Sequence, residues 1–77
     1  MRRPDPIVIS WQGRQLRVRH DDPGMSSIYS PQASRIRSAV ELASDVEGLR
    51  LVLETALGAR YRIRVADDGQ VVGLWRR

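Results

Sequence analysis

On either side of Gln12-Gly13 the chain alternates apolar and polar residues, and this pattern restricts its fold more than any other feature. Ile7, Ile9 and Trp11 alternate with Val8 and Ser10, while Leu16 and Val18 alternate with Gln15, Arg17 and Arg19. A two-residue loop at Gln12-Gly13 sets Ile9 opposite Leu16 and Ile7 opposite Val18, so the apolar residues of both strands share one face. The pattern predicts a β-hairpin with Val8, Ser10, Gln15 and Arg17 on its other face.

The far end of the chain has the same character. Tyr61, Ile63 and Val65 alternate with Arg60, Arg62 and Arg64, Asp67-Asp68-Gly69 supplies a turn, and Val71 to Trp75 returns as a second hairpin. Its register has two solutions. With Asp68-Gly69 as a two-residue loop, Val72 and Leu74 face inward with Ile63 and Val65, and Trp75 stands outside, opposite Arg62. A three-residue loop pairs Trp75 with Tyr61 in the core, because a slip of one residue exchanges the faces.

Between the hairpins, residues 20–30 collect turn formers without either period and predict a loop. Ser30-Pro31 is a helix-start signal, since serine caps free amides and proline at the first helical position gives up no needed donor. Ile36, Ala39, Val40 and Ala43 follow at helical spacing. Ser44-Asp45-Val46-Glu47 has capping-box spacing, and Leu49, Val52, Leu53, Ala56 and Leu57 continue the helical period up to Gly58. Alternation of Leu49, Leu51 and Leu53, together with Gly48, supports a competing strand.

The expected fold is therefore a small two-layer α+β domain. Two hairpins, at about residues 7–20 and 60–76, form an antiparallel sheet, with one or two helices between them at about 31–44 and 45–57. If both middle segments were strands, the product would be a small all-β barrel. A length of 77 residues allows one domain, with residues 1–6 as a frayed, proline-containing lead-in.

Cysteine is absent, so disulfides cannot reinforce the small core, and a homodimer is the reinforcement left. One histidine and no thiol make a poor zinc site, and neither a metal nor a cofactor is expected. The longest early apolar run, Ile7-Val8-Ile9, is far too short for a signal peptide core or a membrane span. A cytoplasmic protein that makes no membrane contact is expected.

No catalytic constellation is legible. His20 is the only histidine, and His20-Asp21-Asp22-Pro23-Gly24 reads as a solvated turn in preference to a metal or nucleophile site. Asp67-Asp68 reads as part of a hairpin turn, and the six glycines are too dispersed to form a phosphate loop. The chain is not expected to be an enzyme.

What exceeds background is arginine. The 13 cations are all arginine, against nine acids, for a net charge of +4. GC-rich coding alone can replace lysine by arginine, but the chemical result stands: every cation is a planar fork suited to bidentate pairing and stacking. Alternation directs Arg17 and Arg19 of the first hairpin, and Arg60, Arg62 and Arg64 of the second, away from the apolar side.

These five, with Trp75, are the expected partner-binding residues, and the plainer alternative is a solvated outer face. The expected function is a noncatalytic regulator or inhibitor that recognises an acidic protein surface. The alternative is nucleic-acid binding by the same arginines, with Trp11 or Trp75 stacking on bases.

Overall fold

The computed structural model describes residues 5–22 and 30–77. Strands β1 (Ile7–Trp11) and β2 (Arg14–His20) are followed by helices α1 (Pro31–Glu41) and α2 (Val46–Leu57) and by strands β3 (Tyr61–Val65) and β4 (Val71–Arg76). The two middle segments are helices, so the domain is α+β and the sheet does not close into a barrel. Residues 1–4 of the expected lead-in and residues 23–29 of the expected loop lie outside the described residues.

Both hairpins form. Gln12 and Gly13 have φ of 54° and 77°, the left-handed pair that a tight two-residue hairpin loop requires. The pairing sets Ile9 opposite Leu16 and Ile7 opposite Val18. In the second hairpin Val65 pairs with Val72 and Arg62 with Trp75, the register that leaves the Trp75 ring outside.

The expectation of a wholly antiparallel sheet is corrected. The strand order is β1-β2-β4-β3, and β2 runs parallel to β4, so the sheet is mixed. Parallel neighbours need a long crossover, which the two helices and β3 supply. Residues 71–75 of the inner β4 carry no charge and the outer β3 carries Arg62 and Arg64, but the other half of the sheet is the reverse, with uncharged β1 outside and β2, bearing Arg14, Arg17 and Arg19, inside.

The helices cover one face of this sheet. Leu16 and Val18 of β2 and Val72 and Leu74 of β4 meet Ile36 and Val40 of α1 and Leu49 and Leu53 of α2, all of them completely buried. The expected stripe on α2 is narrower than its period implied, because Val52 is only partly buried and Ala56 is exposed.

Helix ends follow the sequence signals with one shift. Ser30 Oγ accepts from Ala33 N at 3.1 Å, with Pro31 opening α1. Asp45, not Ser44, caps α2, its Oδ1 accepting from Gly48 N at 2.7 Å. The first helix stops at Glu41, short of residue 44, with Leu42 as its C-cap. Carbonyls left free in the link between the helices are taken up by the first hairpin: Trp11 Nε1 donates to Ala43 O at 3.1 Å, and Gln12 Nε2 donates to Ser44 O. Among the described residues no helix is long and apolar enough to cross a membrane.

Candidate binding face

Strand alternation builds the outer face of the sheet from residues the helices do not touch. Val8, Ser10, Gln15, Arg17, Arg19, Arg62, Arg64 and Trp75 are all exposed there, with Val71 and Gly73 between them. Register then fixes neighbours. Arg17 lies between Val8 and Val71, and Gly73 lies between Arg19 and Arg64. Trp75 stands beside Arg62. No strand residue on this face is acidic.

Of the six sequence-predicted site residues, Arg17, Arg19, Arg62, Arg64 and Trp75 thus meet on one surface. Arg60 does not stand on a strand; it lies exposed in the turn before β3, where its carbonyl accepts from Arg77 N at 3.1 Å. The shift follows from the helix end, because Arg60 N bonds back to Leu57 O at 3.0 Å and so belongs to the turn that closes α2.

Gly73 sets the position of the indole. A Cβ built there would lie 2.6 Å from Cζ3 of Trp75 and closer still to Cη2, so the six-membered ring occupies the space that any larger residue would fill. Glycine inside a strand commonly marks such a close approach. The ring covers Gly73, which is buried, while Trp75 itself stays 41% exposed. Arg19, Arg64, Ala66 and Val71 join them around a shallow cleft of about 160 Å³. An aromatic plate flanked by two guanidinium groups can stack on planar groups and pair with anions.

The other tryptophan is placed differently. Trp11 is 4% exposed and its ring is held by the Ala43 bond, with Arg14 stacked 5.3 Å from the ring centre. Trp11 is therefore not available to stack on bases, which corrects half of the stacking expectation.

His20, read above as part of a solvated turn, is the last residue of β2 and is buried. Its Nδ1 accepts from Asp22 N at 3.3 Å, leaving Nε2 to donate to Asp5 O at 2.8 Å. The two aspartates after it are anchored as well. Asp21 Oδ1 accepts from Arg76 N at 3.1 Å and stands 3.5 Å from Arg76 Nε. Asp22 Oδ2 accepts from Tyr61 Oη at 3.0 Å. Burial, then the hydrogen bond to Asp22 and its negative charge, raise the Tyr61 pKa, against the opposing influence of Arg60 and Arg76. Residues 20–22 thus tie the end of β2 to β3, β4 and the segment before β1. Among the described residues no group of three His, Asp or Glu side chains could hold a metal ion.

A second surface feature lies on the helical side. An open, apolar cleft of about 500 Å³ runs between α1 and α2, bordered by Leu42 and Leu51, which are 77% and 57% exposed. Helical periodicity leaves both leucines off the core stripes, and only the competing strand reading gave Leu51 a place beside Leu49 and Leu53. The role of Gly73 did have a signal: an isolated glycine in an apolar strand two residues before a tryptophan.

Comparison with known proteins found no matching family model, no matching curated protein and no matching solved structure.

Proposed function

We propose that this chain is a small noncatalytic binding protein, a cytoplasmic regulator or inhibitor that recognises an acidic protein surface through the outer face of its sheet. One observation carries the reading: Arg17, Arg19, Arg62 and Arg64 share a strand face without acids, on which Trp75 stands exposed beside Arg19, Arg62 and Arg64. Like charges gathered on one face repel, so such a face is stabilised by an anionic partner. Arginine and tryptophan are also the side chains that concentrate binding energy at protein interfaces.

The flat Trp75 ring between Arg19 and Arg64 favours a second reading, a single-stranded nucleic acid with a base stacked on the indole. It ranks below the first. Single-strand binders stack successive bases on several aromatic rings, and Trp75 is the only aromatic among the described residues of this face.

Titration against mixed-sequence single- and double-stranded DNA and RNA at low salt separates the two. The protein-binding reading expects no association at high micromolar concentration. Binding that both Arg62→Ala and Arg64→Ala weaken would put nucleic acid first. Such binding would also fall steeply with salt, with a log-log slope of about 0.9 per phosphate on duplex DNA.

A further inference from the structure

The edge of the arginine face has open hydrogen-bonding groups. Among the described residues β3 is an outer strand and pairs only with β4. Two bonds flank its ladder, Ala66 N to Val71 O at 2.9 Å and Arg77 N to Arg60 O at 3.1 Å. Antiparallel pairing alternates, so the backbone groups of Arg62 and Arg64 point to β4, and those of Tyr61, Ile63 and Val65 point to the free edge. Beside that edge runs a cleft of about 950 Å³, bordered by Gly58, Ala59 and Glu54 on the α2 side and by Arg62, Arg64 and Arg77. Small residues at the α2 end leave room for a chain to lie along the strand, and the cations outnumber the single acid.

We propose that the free edge of β3 receives an extended segment of the acidic protein as a fifth strand, with acidic side chains at alternate positions opposite Arg62 and Arg64. Main-chain bonds to Tyr61, Ile63 and Val65 supply affinity, and the arginines select the segment. An apolar residue of the incoming strand meets Ile63, which is half-buried at the edge. The same charges exclude a second copy of this chain. Any antiparallel pairing of two β3 edges that keeps their buried faces together sets arginine against arginine. The acidity of the segment rests on the function proposed above, whereas the strand addition rests on the edge geometry alone.

The test uses the full chain and three synthetic seven-residue peptides that alternate glutamate and valine. One is unmodified, one is N-methylated at the valines and one at the glutamates. A strand bonds its neighbour through one alternate set of amides, so one methylated peptide is expected to bind like the parent and the other to lose more than about tenfold in affinity. The amides of Ile63 and Val65 are expected to gain protection from hydrogen exchange on addition of the parent peptide. Equal binding of all three peptides, still lost in Arg62→Ala and Arg64→Ala, overturns strand addition and leaves the acidic-surface reading intact. Absence of binding by the parent peptide at millimolar concentration also overturns strand addition. Binding that neither arginine substitution weakens overturns both readings.

Discussion

Gly73 shows how one missing side chain can shape a surface. In the middle of an apolar strand glycine weakens packing, yet here it lets the Trp75 ring lie against the sheet between two arginines. Gly73→Ala is expected to lift that ring while the fold persists. The indole N–H resonance of Trp75 should move in a proton–nitrogen spectrum and that of Trp11 should stay; an unmoved Trp75 signal would show that the ring does not rest there. Tyr61 offers a second check at this scale. Folding raises its pKa, so the protonated form is favoured in the native state. Its stabilising contribution is then fully present below the unfolded value of 10.0 and is lost as pH rises through the higher native value. Tyr61→Phe should cost about 1 kcal/mol at neutral pH, through loss of the bond to Asp22, and should flatten the alkaline decline in stability. Urea unfolding of both proteins at neutral pH and at about pH 11 measures the two effects.

Among the elements, the helix ends and the strand order depend on specific residues. Asp45→Ala should remove about 1 kcal/mol of stability, and Ser44→Ala close to none, because the amide of Gly48 is held by Asp45. Thermal unfolding resolves this, since 1 kcal/mol moves the midpoint by about 4–8 °C in a domain of this size. An equal loss from both variants would place the cap wrongly. Serine and aspartate both cap well, so their adjacency hid the boundary in the sequence. Strand alternation, by contrast, was legible: Ile9 opposite Leu16, and Arg62 opposite Trp75 in one of two registers, follow from turn residues and local period. The parallel β2–β4 contact was not, because it joins Arg17 to Val71 across two helices and no local pattern reports it. Hydrogen exchange can read the order directly. Val72 and Leu74, at the centre of the sheet, should exchange slowly and Ile63, at its edge, quickly; the reverse would place β3 inside.

For the whole molecule, the two layers give two different faces. The helical side is apolar in its cleft, and the sheet side carries Arg17, Arg19, Arg62 and Arg64, the last three beside Trp75. The arginines of the site were legible because alternation fixes which way a strand residue points. The same alternation sets Trp11 inward with Ile7 and Ile9, which counts against its stacking on bases. The burial of His20 was not legible, because it depends on Asp5, fifteen residues away, and Arg60 was displaced because the turn that closes α2 runs three residues past Leu57 and interrupts the alternation. The proposed function requires the outer sheet face to bind an acidic protein. Affinity capture from the native host, with the intact chain and an Arg19→Ala/Arg62→Ala/Arg64→Ala variant as baits and with bound proteins and nucleic acids identified side by side, tests it most directly. The expected result is an acidic protein that the intact chain retains and the folded variant loses. Recovery of nucleic acid alone, or of the same proteins by both baits, would contradict it.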